Sequence, residues 1–258
     1  MGQDEGEVLQ VQDDGAVRVV TIDRPHRRNA VDHAVAFAMG RAIDEFEAAD
    51  DLLVLVVTGA SGTFCSGMDL NAHPAGKRPI VPGRGFAGIV EQPPRKPVIA
   101  AVEGYAVGGG FEIVLACDLV VAARNAVFAL PEVRRGLVPG GGGLLRLAER
   151  IPYVFAQQMA LTGEPLPAID AHRLGLINTL TDPGTALDTA RQLAAQIVRN
   201  APLAVLAAKE LLRKGSRSDS DDAWQDQRRT CETIRLTEDA REGATAFLQK
   251  REPRWTGG

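Results

Sequence analysis

Three continuous apolar runs constrain the fold of this chain more than any other sequence feature. They cover residues 52–58, 97–102 and 119–122, and polar residues do not alternate with the apolar ones. A run of this kind is typical of a strand that is covered on both faces, as in a parallel sheet. An apolar segment of helical character, residues 111–117, separates the second run from the third. The recurrence of strand, helix and strand predicts an α/β fold.

The segments before the first run predict a hairpin and a helix. Residues 8–12 and 17–22 favour strands and are separated by the turn-forming Asp13-Asp14-Gly15, which predicts a β-hairpin. Over residues 31–48, apolar side chains recur at spacings of four, three and four, which predicts an amphipathic helix. These side chains are Val35, Met39, Ala42 and Phe46.

Two later stretches differ in composition from the apolar core. Residues 72–94 are rich in proline, glycine and basic residues, and we expect a mobile loop with one short helix around Ile89 that borders a site. From residue 186 to residue 250 the pattern is predominantly helical, with a polar break at residues 216–222. We therefore expect a core of residues 1–200 and a C-terminal helical region of residues 201–258.

Composition restricts the classes of partner. The 258 residues are 45% hydrophobic and carry a net charge of −4, so neither nucleic acid nor a membrane is an expected partner and a small-molecule ligand is favoured. Three isolated cysteines and four scattered histidines lack the spacings of a disulfide framework or a metal site, and we expect no bound metal. The acidic N-terminus lacks an apolar targeting segment, so we expect a cytoplasmic protein.

Two glycine-rich turns are candidates for binding a carbonyl oxygen. Gly108, Gly109 and Gly110 follow a predicted strand and open a predicted helix, where backbone N–H groups lack helical partners and face a positive dipole. A second small-residue turn follows the strand at residues 52–58 and could supply another N–H group. Two converging amides would hold an oxyanion. The alternative for both turns is that glycine serves packing alone.

Glu112 and Glu132 are the candidate catalytic carboxylates. Glu112 lies in the first turn of the predicted helix among apolar neighbours, and Glu132 follows Pro131 after the next strand. Addition of water to a carbon–carbon double bond needs a base for the water and an acid for the carbon, which two carboxylates provide. The alternatives are that Glu112 is a surface residue favoured by the helix dipole and that Glu132 is an acid at a helix start.

Two other glycine patterns and two arginine pairs carry weaker signals. Residues 83–88 match a dinucleotide-binding pattern but follow Pro82 instead of a strand, and residues 140–143 lack the lysine and hydroxyl residue of a phosphate-binding loop. We therefore predict no dinucleotide or P-loop site. The pairs at residues 27–28 and 134–135 are typical of solvated charges, although either could approach a phosphate.

The motifs taken together resemble the crotonase superfamily and, within it, the enoyl-CoA hydratases. The resemblance extends over about residues 8 to 255, with the motifs in the family's order and spacing. The matching segments are residues 22–25, 29–30, 64–70, 96–112, 128–132, 161–163, 171–176 and 238–255.

The resemblance implies a fold, an assembly and a site. The fold would be a spiral of β-β-α repeats followed by a C-terminal helical trimerisation region, giving a homotrimer or homohexamer. The backbone N–H groups of Met68 and Gly109 would hold the thioester oxygen, with Glu112 and Glu132 as the catalytic pair. Substrate or coenzyme A contacts would come from a further set of residues: Arg24, Arg28, Ala30, Ser66, Asp69, Leu70 and Gly108.

The implied reaction is reversible addition of water to the α,β double bond of an enoyl-CoA, with coenzyme A as part of the substrate and no separate cofactor. A Δ3,Δ2-enoyl-CoA isomerase, a carnitinyl-CoA-type dehydratase and a non-catalytic acyl-CoA-binding protein remain alternatives. The chain departs from the family pattern at residues 134–147, and Asn71 replaces a lysine that many members place near the nucleotide. Arg24, Arg28, Lys209 and Lys250 are then the candidate phosphate contacts.

Overall fold

The computed structural model describes residues 8–70, 78–215 and 221–258. The strands, in chain order, are β1 (Leu9–Asp14), β2 (Val17–Ile22), β3 (Val54–Gly59), β4 (Ile80–Val81), β5 (Gly85–Phe86), β6 (Val98–Val102), β7 (Tyr105–Val107), β8 (Leu119–Ala123), β9 (Val127–Ala129), β10 (Leu166–Pro167) and β11 (Thr179–Thr181). The α-helices are α1 (His33–Ala48), α2 (Gly109–Ala116), α3 (Gly143–Arg150), α4 (Tyr153–Thr162), α5 (Ala168–Arg173), α6 (Ala186–Val198), α7 (Pro202–Gly215), α8 (Asp221–Arg235) and α9 (Glu238–Gln249). Short 3-10 helices cover Pro25–Arg27 and Pro131–Arg135.

The largest sheet confirms the α/β prediction. Its strand order is β1-β2-β3-β6-β8-β11. Strands β1 and β2 form the predicted antiparallel hairpin, and every later pairing in this sheet is parallel. Strands β3, β6 and β8 correspond to the three apolar runs and lie at its centre.

Side chains on the two faces of this sheet enter two different cores. Leu55 and Val57 of β3 face the larger core, which also contains the apolar stripe of α1. Val54 and Val56 point the other way and pack with alanines of α6, among them Ala190. Burial of an aliphatic side chain stabilises the fold by about 1.5–3 kcal/mol, so apolar residues predominate on both faces of a strand with no solvent face.

A small second sheet brings the two glycine-rich turns together. Strand β9 pairs in parallel with β7 and antiparallel with β10. Beside β7, Cys65 forms an isolated parallel bridge with Ala106. Because β7 leads directly into α2, this bridge places the turn around residues 64–68 next to the glycine triplet.

The prediction of a short helix around Ile89 is wrong. Strands β4 and β5 form a hairpin, and turns follow it as far as Val90. Gly85 and Gly88 have φ values of +74° and +69°, which a right-handed helix does not allow. A Cβ atom on Gly88 would lie 2.7 Å from the carbonyl oxygen of Ala36, so the segment packs tightly against α1. Residues 72–77 of the predicted loop lie outside the described residues.

The C-terminal part is helical as predicted. Of the predicted polar break, residues 216–220 lie outside the described residues, whereas Asp221 and Asp222 belong to α8. The Lys209 ammonium of α7 donates to the carbonyl oxygens of Pro94 and Lys96 and to Asp118, which ties this region to the core. A boundary at residue 200 stays a prediction. Among the described helices, none is both long enough and apolar enough to span a bilayer.

Candidate functional site

The turn around Gly67 is fixed against β7 by backbone hydrogen bonds. The Cys65 N–H donates to the Tyr105 carbonyl oxygen, and the Val107 N–H donates to the Cys65 carbonyl oxygen. Gly67 has a φ of +93°, and a Cβ atom there would lie 2.9 Å from the Val107 oxygen and 3.1 Å from the Gly109 nitrogen. Glycine therefore permits both the left-handed conformation and the close approach of the two turns.

The amides of Met68 and Gly109 are available as donors. Gly109 is the first residue of α2, so its N–H has no intrahelical acceptor and lies at the positive end of the helix dipole. Within the described residues, the Met68 N–H donates to no acceptor. The Cβ position of Gly67 lies 3.1 Å from the Gly109 nitrogen, so the two turns lie close together. Joint binding of one oxygen by these amides stays a prediction.

Hydrogen bonds and ion pairs involving Asp69 and Ala30 join this turn to the segment before α1. The Asp69 N–H donates to the Val31 oxygen, and the Val31 N–H donates to the Gly67 oxygen. The Arg24 guanidinium donates to the Ala30 carbonyl oxygen and forms ion pairs with Asp69 at 3.1 Å and with Asp32 at 3.0 Å. Arg24 is thus engaged by protein groups, and its predicted contact with coenzyme A stays a prediction.

The other predicted ligand contacts are scattered around the turn. Ser66 donates its N–H to the Arg28 carbonyl oxygen, while the side chains of Arg28 and Leu70 are exposed. Of the candidate phosphate contacts, Lys209 is bound to core groups and Lys250 caps the C-terminal end of α9. Asn71 lies outside the described residues.

Asn29 has a supporting role that sequence reasoning did not assign. It is fully buried with a φ of +55°. Its Oδ1 accepts from the Arg24 N–H, and its Nδ2 donates to the carbonyl oxygens of Ala60 and Thr63. Asn29 therefore joins the loop before α1 to the loop after β3. The available signal was its residue type, since asparagine tolerates left-handed conformations better than most residues.

Glu112 is held by the second glycine run. Its side chain is buried, and Oε1 accepts hydrogen bonds from the Gly141 N–H at 2.6 Å and the Gly143 N–H at 3.0 Å. A Cβ atom on Gly141 would lie 2.8 Å from Oε2, so glycine permits this approach. Sequence reasoning discarded the run as a phosphate loop and did not connect it with Glu112, because the contact joins residues 29 positions apart.

Glu132 reaches the same area from the 3-10 helix Pro131–Arg135. Its Oε1 lies 3.1 Å from the Cβ position at Gly108, so its carboxyl group faces the start of the glycine triplet. Its Oε2 is buried, and within the described residues it has no hydrogen-bond partner. This oxygen has lost hydrogen bonds to water on burial without gaining one from the described residues.

Burial raises the pKa of both glutamates above the ordinary range. For Glu112, the N–H groups of Gly143 and Gly141 and the positive charge of Arg146 oppose that rise in pKa. For Glu132, its own backbone N–H opposes the rise in pKa, the negative charge of Glu112 adds to that rise, and the positive charge of Arg135 lowers the pKa. The two carboxyl groups are therefore close enough to influence each other, and their titrations are coupled.

The β4–β5 hairpin borders this site, as the sequence predicted for its segment. A Cβ atom on Gly109 would lie 2.5 Å from Cε1 of Phe86, so the aromatic ring packs directly against the first residue of α2. The Arg146 guanidinium of α3 donates to the Val90 carbonyl oxygen just beyond the hairpin. The hairpin, α2 and α3 thus enclose the region around Glu112.

The described residues give less support to a metal site or to a nucleophilic cysteine. They contain no cluster of three or more histidine, cysteine or acidic side chains arranged to hold a metal ion. Burial raises the pKa of Cys65 to about 12 and that of Cys117 to about 12, so both thiols stay protonated near neutral pH and are poor nucleophiles. The amide pair and the two carboxyl groups remain the reactive features.

Comparison with known proteins identifies the family. The sequence model of the enoyl-CoA hydratase/isomerase family matches residues 12–258. A carnitinyl-CoA dehydratase from Salmonella arizonae is 42% identical, covering 97% of this chain and 99% of the relative. Among solved structures, an enoyl-CoA hydratase from Mycobacterium tuberculosis is 50% identical to this chain and superposes with a TM-score of 0.94. A carnitinyl-CoA hydratase from Mycobacterium avium is 42% identical and superposes with a TM-score of 0.78. Each alignment covers 97% of this chain and 99% of the other chain. The crotonase-type fold class is confirmed, and the chain belongs to the enoyl-CoA hydratase/isomerase family.

Proposed function

We propose that this enzyme catalyses reversible addition of water across the α,β double bond of an enoyl-CoA thioester. The observation that carries the proposal is the pair of desolvated carboxyl groups, Glu112 and Glu132, the second of which lies beside Gly108 at the start of the glycine triplet. Acyl-CoA thioesters are the substrates of this family. Coenzyme A is part of the substrate, and the proposed reaction requires no separate cofactor.

In the proposed mechanism, the thioester oxygen accepts hydrogen bonds from the N–H groups of Met68 and Gly109. Negative charge develops on this oxygen when water adds to the β carbon, and fixed donors stabilise that charge. Glu112 removes one proton from the water as its oxygen bonds to the β carbon. Glu132 donates a proton to the α carbon, so that one water molecule is added overall. The proton taken up by Glu112 then exchanges through solvent, and Glu132 is reprotonated, which restores both groups.

The unequal surroundings of the two glutamates support these roles. Two backbone N–H groups stabilise the ionised form of Glu112, as a base requires. Glu132 has a buried oxygen without a partner among the described residues and faces the charge of Glu112, which favours its protonated form. Two carboxyl groups in unlike surroundings can serve as base and acid at one pH.

The first experiment is replacement of each carboxylate. We expect Glu112→Gln and Glu132→Gln each to lower kcat with crotonyl-CoA by about two orders of magnitude or more, because each removes a proton-transfer group. The decrease in enoyl absorbance measures turnover, and circular dichroism checks the fold. A Glu112→Gln variant as active as wild type would overturn its assignment as the base.

A carnitinyl-CoA dehydratase is the second candidate activity. The 42% identity to a carnitinyl-CoA dehydratase over 97% of this chain favours it. Assays of wild type with crotonyl-CoA, longer enoyl-CoAs and the dehydrated betaine thioester separate the two activities, because only the last carries a quaternary ammonium group. Preference for the betaine ester would select the second candidate. Tight binding of every ester without turnover would instead support a non-catalytic binding protein, and accumulation of a shifted double bond would support an isomerase.

The proposal extends to assembly and location. We propose that the protein forms a homotrimer, or a homohexamer of two trimers, through the region containing α7, α8 and α9. We also propose that it acts in the cytoplasm on acyl-CoA thioesters, without nucleic acid or membrane partners.

A further inference from the structure

Arg146 lies at the junction of three segments that enclose Glu112. It belongs to the first half of α3, and its guanidinium is partly buried. Nη1 donates to the Gly141 carbonyl oxygen at 3.2 Å, and Nη2 donates to the Val90 carbonyl oxygen. One planar group thus binds the glycine run on one side and the turn beyond the β4–β5 hairpin on the other. A guanidinium suits this task because its donors have a fixed, forked arrangement.

The Gly141 residue is held at both of its polar groups. Its N–H donates to Glu112 Oε1, while its carbonyl oxygen accepts from Arg146. The neighbouring Gly142 has a φ of +82°, and a Cβ atom there would lie 2.7 Å from Nη1 of Arg146. The glycine run and the guanidinium therefore fit closely. The Arg146 backbone N–H also donates to the Gly142 carbonyl oxygen, so Arg146 binds the two peptide groups that lie between the Gly141 and Gly143 amides.

We propose that Arg146 is a positioning residue for catalysis: it fixes the backbone at Gly141 and Gly143 that orients Glu112, and it couples this backbone to the turn at Val90. This role rests on the proposed function of Glu112 as the base. Arg146 acts through the backbone and through its charge, without contact to the reacting atoms. The buried Val90 provides a fixed second attachment for the guanidinium.

The charged groups around Glu112 set the expected pH dependence. The positive charge of Arg146 on α3 lowers the pKa of Glu112. The negative charge of Glu112 raises the pKa of Glu132 on the 3-10 helix, and the positive charge of Arg135 lowers it. The positive charge of Arg146 favours the ionised form of Glu112. Loss of that charge should therefore move the acidic limb of the kcat/KM profile to higher pH, because that limb follows ionisation of the base.

The matched control is Arg150 of the same helix. Its side chain is also partly buried, but it donates to the Cys117 carbonyl oxygen at the far end of α2. Arg146→Gln and Arg150→Gln therefore remove comparable arginines from α3, while only the first removes support from the glycine run. Arg146→Lys keeps the positive charge but loses the forked geometry.

We expect Arg146→Gln to lower kcat at least about tenfold, since small displacements of catalytic groups reduce turnover by up to about a hundredfold. KM should change much less, and the acidic limb should move to higher pH. Arg146→Lys should restore the position of that limb while kcat stays low. Arg150→Gln should reduce thermal stability but keep kcat within about twofold of wild type. Equal kinetic losses in the Gln variants at positions 146 and 150 would overturn the positioning role.

A titration of the Glu112 carboxyl group tests the inference independently of turnover. Carbon-13 NMR of glutamate-labelled protein follows that group, with Glu112→Gln identifying its signal. Arg146→Gln should raise the pKa of Glu112, whereas Arg150→Gln should leave it unchanged. An unchanged pKa of Glu112 in folded Arg146→Gln would overturn the proposal. If Arg146→Gln does not fold, an unchanged kcat in Arg146→Lys would overturn it instead. Absence of turnover in wild type with every enoyl-CoA would contradict the proposed function, while the titration still decides the role of Arg146.

Discussion

The carboxyl groups of Glu112 and Glu132 differ in what surrounds them, although burial raises the pKa of both. Glu112 accepts two backbone hydrogen bonds, whereas Glu132 has a buried oxygen without a partner among the described residues. A buried polar group without a partner reduces the stability of the folded state. We therefore expect Glu132, the proposed acid, to reduce the stability of the folded protein.

The destabilisation caused by burial of the Glu132 carboxyl group predicts a pH-dependent effect of Glu132→Gln on stability. The pKa of Glu132 is raised in the folded state by burial, so the unfolded chain loses this proton at a lower pH than the folded protein. The stabilising contribution of the protonated carboxyl group is present below its unfolded pKa and is lost as pH rises through its folded pKa. Neutral glutamine avoids that loss, so Glu132→Gln should raise Tm relative to wild type increasingly as pH rises.

Thermal unfolding of wild type and Glu132→Gln across the acidic to neutral range measures this effect. Glu164→Gln is a suitable control, because Glu164 is an exposed residue paired with Arg134 at the surface. A Tm difference that does not grow with pH for Glu132→Gln would contradict the expected desolvation of this carboxyl group.

Among the secondary structure elements, helix α2 begins where the glycine triplet and the turn at Cys65 lie too close together for side chains. A Cβ atom on Gly110 would lie 2.1 Å from the Cys65 carbonyl oxygen. The sequence predicted strand, turn and helix here because the apolar runs and glycine punctuation are local signals. Each glycine's role could not be predicted, since the opposing carbonyl comes from a distant segment of the chain.

Gly110→Ala should therefore disturb both the fold and the site. The added methyl group must displace the turn at Cys65, and we expect a loss of about 3 kcal/mol in the free energy of unfolding, with lower kcat because the Gly67 turn moves. Urea denaturation and turnover of crotonyl-CoA measure the two effects. Gly140→Ala is the control, because its Cβ atom would have no neighbour within 4 Å, and it should change stability by no more than about 0.5 kcal/mol. Equal stability of the two variants would refute the steric argument.

The incorrect prediction of a helix around Ile89 shows a limit at the same scale. Ile89 and Val90 are buried, and short apolar stretches of this kind do not distinguish a helix from a packed turn. The contact between Gly88 and α1 decides the outcome, and it is a tertiary contact. The same segment supplies Phe86 and the Val90 oxygen to the site, so its border position was predictable while its conformation was not.

For the whole molecule, Lys209 is a principal attachment of the helical C-terminal region to the sheet. Its ammonium binds two carbonyl oxygens and the Asp118 carboxylate, and that carboxylate also accepts from the Val98 N–H of β6. Because α7 precedes both later helices, this attachment contributes to the placement of the region in which we propose subunit contacts.

Lys209→Met should weaken this attachment. We expect a loss of about 1.5–3 kcal/mol in the free energy of unfolding, the range for a hydrogen bond to a charged group, measured by urea denaturation. Lys214→Met on the same helix removes an exposed ammonium paired with Glu210 and Asp226 and should leave the unfolding midpoint nearly unchanged. An equal shift in both variants would contradict the attachment.

The sequence by itself determined the α/β class, the order of the main strands and helices, the family and the candidate carboxylates, because apolar periodicity and short motifs are local in the chain. Tertiary structure decided how the site is supported. Arg24 pairs with Asp69, Asn29 joins two loops, and the second glycine run holds Glu112. These contacts join residues that are far apart in the chain, and most of them use backbone N–H and C=O groups, which every residue type except proline carries in full. Residue identity alone therefore does not encode them.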